Sequence, residues 1–292
     1  MNIGITGATG FIGKTIIDLA LRRGHEVIAF TRHPEKKIPG CTMREFSLER
    51  PPDIAGCEAI VHLAGESVVG LWTTAKKRRI IESRVQGTRR IVEAIEASAQ
   101  KPEVLVCGSA IGFYGDAGER ELTEHAPQGT GFLADTVAAW EAEARQAEGV
   151  RTVMLRTSLV LGTGGGALQP MVPVFRAALG GRFGDGRQWM SWIHLEDEAR
   201  LALFAVENLD LRGPVNASAP WPVRNAEFTA TLARVVRRPA FFHVPAFALR
   251  VLGEFSHELL DSKRVLPASA LEHGFGFRFP ELEPALKDLL PL

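Results

Sequence analysis

Apolar and polar positions alternate along the chain in a regular order of short apolar runs and longer amphipathic ones. Asn2 to Thr6 is a short apolar stretch that predicts a first strand. Phe11 to Arg23 follows with Ile12, Ile16, Leu19 and Ala20 on one face, the pattern of a helix. Arg22-Arg23-Gly24 closes it with cations and a glycine stop. Glu26 to Phe30, Thr42 to Phe46, Ala59 to Ala64, Val104 to Cys107 and Arg151 to Arg156 read as further strands. Between them lie a long helix from about Thr74 to Ala97 and another from Phe132 to Glu148. In the long helix, Ile80, Ile81, Val85, Thr88, Ile91, Val92 and Ile95 share a face, with Arg84 near its middle. Strands alternating with helices predict an α/β fold, a Rossmann-type doubly wound parallel sheet.

From Gly162 onward glycines and prolines break the pattern more often. Helices are expected near 168–180, 225–237, 246–253 and 281–290, with short strands at Trp189 to Ile193 and Pro214 to Ala217. The expected division is a nucleotide-binding domain over 1–161, with 188–217 returning to it, and a smaller, mostly helical C-terminal substrate lobe from 162–187 and 218–292.

Gly7-Ala8-Thr9-Gly10-Phe11-Ile12-Gly13 stands between the first strand and the first helix, the context a dinucleotide loop needs. Gly7 permits the turn, Gly10 lets the backbone approach a pyrophosphate, and Gly13 lets helix and strand pack closely. The helix start offers free N–H groups to phosphate, through Thr9, Phe11 and Ile12 as well as the glycines. Thr31-Arg32 ends the second strand, and positions 28 to 34 hold no acid to bond an adenosine ribose. Arg32 suits the extra phosphate of NADP, so NADP is expected ahead of NAD. Leu63-Ala64-Gly65 ends the fourth strand, where open parallel sheets bind ligands. A guanidinium cannot shed its proton, so an inward Arg84 requires either a buried carboxylate such as Glu66 or a ligand phosphate.

Composition removes other classes. The 292 residues carry 34 Lys plus Arg against 34 Asp plus Glu, so neither nucleic acid nor an anionic membrane is the expected partner. The uncharged run Thr157 to Phe175 is interrupted by four glycines and two prolines, which argues against a membrane helix. The strand starting at residue 2 leaves no space for a signal peptide, and three cysteines match no metal spacing. A cytoplasmic protein with reduced thiols and no metal site is expected.

The stretches ITGATGFIG (5–13), HLAGES (62–67), ESRVQGT (82–88), GSAIGFYG (108–115), WEAEA (140–144), LRTSLVLGTGGGAL (155–168) and WIHLEDEA (192–199) together resemble the extended short-chain dehydrogenase/reductases. More narrowly the chain is similar to the atypical YfcH-type, or SulA-like, epimerase family over its full length, including a small C-terminal module of unknown role from about Pro245. The resemblance implies an NADP-binding, epimerase-like oxidoreductase acting on a small molecule, a sugar nucleotide or a carbonyl compound. Most members of the superfamily use a Tyr-x-x-x-Lys pair, in which an ammonium steadies a phenolate. Here the only tyrosine is Tyr114, Gly118 stands four residues later, and no lysine lies between Lys101 and Lys263. Aligned on WEAEA, the Tyr and Lys positions fall on Leu133 and Val137, the Ser/Thr position on Ala110 and the Asn position on Arg84. Candidate replacements are Tyr114, Ser109 and Glu66, with Ser109 also a candidate cofactor contact and His194 a junction residue. Two functions stay open at this point: a reductase or epimerase with unusual acid/base groups, and an NADP-binding sensor or regulatory protein without turnover.

Overall fold

The computed structural model describes residues 1–291. Its centre is a seven-stranded sheet of β1 (Asn2–Thr6), β2 (Glu26–Thr31), β3 (Cys41–Glu45), β4 (Ala59–His62), β5 (Val104–Ala110), β6 (Arg151–Thr157) and β7 (Gly213–Ala217). The spatial order is 3-2-1-4-5-6-7 and every pairing is parallel. The order reverses between β1 and β4, which opens a crevice beyond their carboxyl ends. Strands covered on both faces must be apolar throughout, and β1, β4 and β5 are buried almost end to end.

Two helices cover each face. α1 (Phe11–Arg22) packs against the helix Leu195–Glu207 on one side, and α2 (Thr74–Ala97) packs against α3 (Phe132–Ala144) on the other. In α2 the expected inner face is buried at Ile80, Thr88, Ile91, Val92 and Ile95, but Ile81 is exposed, one step too far round the helix. The chain beyond β6 adds the helices Leu168–Arg176, Asn225–Val235 and Leu282–Leu289, the last two packed together. Trp189 to Ile193, expected as one strand, is two: Trp189–Met190 pairs with Val223–Arg224, and Trp192–His194 pairs with Leu159–Leu161. The helix expected at 246–253 stops at Leu249 and continues as a 3₁₀ turn over Arg250–Ser256, bent at Gly253 with φ 62°. No helix among the described residues is long and apolar enough to cross a membrane.

The C-terminal segment is fastened to the start of the Leu195–Glu207 helix. The Asp197 carboxylate accepts the Arg278 and Phe279 amides at 2.9 and 2.8 Å. His194 stacks on Phe279 with ring centroids 3.9 Å apart, and its Nδ1 accepts the Glu196 amide as an N-cap.

Glu198, in the same helix, is fully buried and accepts one bond, from the Thr157 hydroxyl at 2.8 Å; its other oxygen has no partner. Burial raises its pKa from the ordinary 4.5 to about 7. The folded state therefore holds this proton more tightly than the unfolded chain, and stability present below about pH 4.5 is lost as pH rises through about 7. Glu198→Gln keeps the Thr157 contact and cannot ionise. Its stability advantage over the parent should grow between pH 4.5 and 8 by up to about 3 kcal/mol. Urea unfolding at both ends of that range measures it, and a pH-independent difference refutes the assignment.

Candidate cofactor crevice and active site

At the β1–β4 reversal three backbones come close together, and glycine is what permits it. Gly7 adopts φ 67°, and a Cβ there would lie 2.9 Å from the Leu63 carbonyl carbon. A Cβ on Gly13 would lie 2.3 Å from the Gly7 oxygen, so the helix axis approaches the turn only without one. The Gly10 amide closes the turn onto Gly7 O at 2.8 Å. α1 then begins with no capping side chain and no acid in its first turn, which leaves its first amides for an anion. Phe11 does not face open space. Its ring fills the loop of Gly162, Gly165 and Gly166, where a Cβ would sit 2.5 to 2.8 Å from it. That contact accounts for the glycine run after β6.

Thr6 and His62 join the two strand ends. The Thr6 hydroxyl accepts the Leu63 and Ala64 amides at 3.0 and 3.1 Å, so its own proton goes to His62 Nδ1 at 2.7 Å. The imidazole proton is thereby placed on Nε2, which is buried without a partner. Burial lowers His62 to about 3, and the ring stays neutral. Neither Thr6 nor His62 was singled out in the sequence; their signal is a polar residue closing each of two adjacent apolar strands.

Arg84 reaches inward to the same loop. Its Nη1 donates to the Glu66 carbonyl at 2.9 Å and to Ile80 O at 3.4 Å, and its guanidinium lies 5.1 Å from the Trp140 ring centre. Burial lowers its pKa to about 10. The expected carboxylate partner is not there: the Glu66 side chain turns to Lys76 Nζ at 2.8 Å and Arg79 at 3.6 Å. Backbone acceptors and an aromatic face satisfy the cation in its place. Gly65 is tied to this arrangement, because a Cβ there would touch the guanidinium at 3.5 Å.

The candidate catalytic side chains separate. Glu66 is partly exposed, and the bond from Lys76 holds its pKa below the usual range. Tyr114 is wholly buried; its hydroxyl donates to Asn216 Oδ1 at 2.7 Å and accepts from Arg156 Nη1 at 3.0 Å. Burial raises its pKa against the pull of Arg156. The Ser109 hydroxyl donates to Glu141 Oε1 at 2.7 Å. Glu141, fully buried, also accepts Arg156 Nε at 2.7 Å and Nη2 at 2.9 Å. Burial disfavours its charge, but the guanidinium outweighs burial and its pKa falls. Ser109 and Tyr114 thus belong to one sealed network running Ser109–Glu141–Arg156–Tyr114–Asn216, a placement against the expectation of reactive groups at an open strand end. Glu141 was readable as an inward position, one residue after Trp140 and four after Val137 on the buried face of α3. Leu133 packs over Gly112, where a Cβ would lie 3.2 Å from the Leu133 Cβ. Arg32 is exposed at the end of β2 and has no acidic partner among the described residues.

Comparison with known proteins gives the family and the fold. Residues 3–217 fit the NAD dependent epimerase/dehydratase family, and 244–289 fit a domain of unknown function, DUF1731. The chain belongs to the NAD dependent epimerase/dehydratase family. It is 38% identical to the epimerase family protein YfhF of Bacillus subtilis, over 99% of this chain and 98% of that one. Among solved structures it is similar to the human epimerase family protein SDR39U1 with NADPH, at TM-score 0.92 and 32% identity, covering 99% of each chain. The UDP-glucose 4-epimerase of Thermotoga maritima, solved with UDP-glucose, shares the fold at TM-score 0.77 and 19% identity, over 99% and 97% of the two chains. The close packing at the turn from Gly7 to Gly13 can be tested directly. Gly13→Ala should weaken NADPH binding by about ten-fold or more in a fluorescence titration, equivalent to about 1.4 kcal/mol. Gly276→Ala, with nothing within 4 Å of the added carbon, should leave it unchanged. Equal affinities for the two variants contradict the role given to the turn.

Proposed function

We propose that this chain is an NADP(H)-dependent oxidoreductase of the epimerase type that reduces a small carbonyl compound with an unusual proton donor. The observation that carries the reading is the uncapped, acid-free start of α1 set against Gly7, Gly10 and Gly13, with an unpaired Arg32 at the neighbouring strand end. Bound there, the cofactor would supply hydride. Gly7, Thr9, Gly10, Phe11, Ile12 and Gly13 offer backbone to the pyrophosphate. Thr31 and Arg32 meet the adenosine phosphate, Leu63, Ala64 and Gly65 form the opposite wall, and Arg84 holds that wall through the Glu66 carbonyl. The human relative with NADPH supports the choice of NADP over NAD.

Of the three candidate catalytic side chains, only Glu66 is open to solvent. Its carboxylate holds the Lys76 ammonium at 2.8 Å, and we assign proton delivery to that pair: the ammonium gives a proton to the substrate oxygen and Glu66 keeps the amine charged between turnovers. Ser109 and Tyr114 act by holding β5, β6 and β7 in register through Glu141, Arg156 and Asn216.

A second reading, an NADP-binding sensor without turnover, is favoured by one observation, that the only tyrosine is sealed in this network and has no lysine beside it. NADPH oxidation across a panel of aldehydes, ketones and sugar nucleotides distinguishes the two. Turnover should occur with a carbonyl substrate, persist within about three-fold in Tyr114→Phe, and fall at least about a hundred-fold in Lys76→Met, which removes the proton donor itself, the usual scale of a general acid's contribution. Absence of oxidation across the panel supports the sensor, and loss of turnover in Tyr114→Phe alone returns catalysis to the phenol.

A further inference from the structure

Within the oxidoreductase reading, we infer that the mouth of the site selects a small apolar carbonyl compound over a nucleoside diphosphate sugar, and that Trp72, Phe132 and Phe255 make the selection. Three elements meet at these residues. The strap after β4, residues 67–73, carries Trp72; Phe132 is the first residue of α3; Phe255 lies in the C-terminal 3₁₀ turn. The Trp72 ring centre is 5.2 Å from Phe132 and 5.9 Å from Phe255. Its indole N–H is already given to Val68 O at 2.7 Å, so it presents an aromatic face with no spare donor. The position next to Phe132 is Leu133, which is apolar as well. The apolar character therefore extends from the strap down to the carboxyl end of β5, where Gly112 underlies Leu133.

The charges point the same way. A nucleoside diphosphate needs cations that are free to meet it. Most of those around this mouth are committed elsewhere, Lys76 and Arg79 to Glu66, Lys77 to Glu254, and Arg84 to backbone carbonyls, which leaves the exposed Arg250 at the start of the turn without an acidic partner among the described residues. Lys77 also lies 5.0 Å over the Phe132 ring, so the ion pair with Glu254 fastens the C-terminal turn across the aromatic cluster. Arg32, Lys36 and Lys37, which also have no acidic partner among the described residues, stand after β2 at the far end of the crevice, beside the adenosine wall. Two of the elements that meet at the mouth carry exposed apolar side chains, Val69 and Leu71 on the strap, and Phe247 just before the turn with Val251 in it. An aromatic cluster whose rim has most of its cations paired suits a ligand that buries hydrocarbon and offers one oxygen.

The test uses the full chain saturated with NADP+, which has no hydride to give a ketone, after a fluorescence titration has established that NADPH binds. Alkyl phenyl ketones from acetophenone to valerophenone, and UDP-glucose separately, are then titrated by equilibrium dialysis. Each added methylene should tighten ketone binding about three- to four-fold, the factor expected for burying a CH₂. Trp72→Ala should flatten that dependence and Trp72→Phe should restore most of it, with NADPH affinity unchanged in both; Phe255→Ala replaces Trp72→Ala if that variant does not fold. UDP-glucose should not displace the ketone. Tighter binding of UDP-glucose than of any ketone, or an undiminished chain-length dependence in Trp72→Ala, overturns the inference while leaving the cofactor reading intact. Failure of NADPH to bind in the first titration overturns both.

Discussion

The structure depends on a close approach of backbones at one point of the sheet. Between β1 and β4 the turn at Gly7 rests on the Leu63 carbonyl, and the first turn of α1 rests on the Gly7 oxygen through Gly13. No side chain fits in either contact. The Thr6 hydroxyl secures the arrangement by taking two amides of the β4 loop and giving its proton to His62. Because those amides are satisfied inside the protein, the donors left over are the ones at the start of α1. The same packing that orders the strands therefore decides where an anion can bind.

Polar chemistry elsewhere at the strand ends is spent inside the fold. Arg156 and Glu141 are both buried, and each charge is matched by several bonds, the condition under which a buried pair is tolerated. Ser109, Tyr114 and Asn216 complete their valences. A hydroxyl at the end of β5 and a phenol just beyond it then hold three strands together, where their positions alone suggested reactivity. What remains open is the aromatic strap around Trp72 and the Glu66–Lys76 pair below it. The C-terminal segment is held by two attachments, Lys77 to Glu254 beside this region and Asp197 to the 278–279 backbone at the helix Leu195–Glu207.

Much of this was legible in the residues. β1, β2, β4, β5, β6, α1 and α2 announce themselves because their apolar periodicity is set by burial on one or both faces. The glycine turn is legible because three glycines at fixed spacing between a strand and a helix have few other uses. The two-residue strands near Trp189 and the 3₁₀ turn at Arg250–Ser256 were not, since contacts far away in the chain define them. The same holds for the site. Arg84 reads correctly as inward, but its partner is a carbonyl, a group every residue carries, so sequence singles out the wrong acceptor in Glu66. Tyr114 reads as a candidate acid because Asn216 and Arg156, which occupy its hydroxyl, are 102 and 42 residues away.

The central claim is that this crevice holds NADP(H), with Arg32 answering the phosphate that distinguishes it from NAD. Parallel fluorescence titrations of the parent chain and Arg32→Ala with NADPH and NADH test it most directly. The account predicts tighter binding of NADPH by the parent, on the order of ten-fold or more, and near-equal affinities in Arg32→Ala as the charge-assisted bond to the phosphate is lost. Equal affinities in the parent, or a preference that survives removal of Arg32, would contradict it.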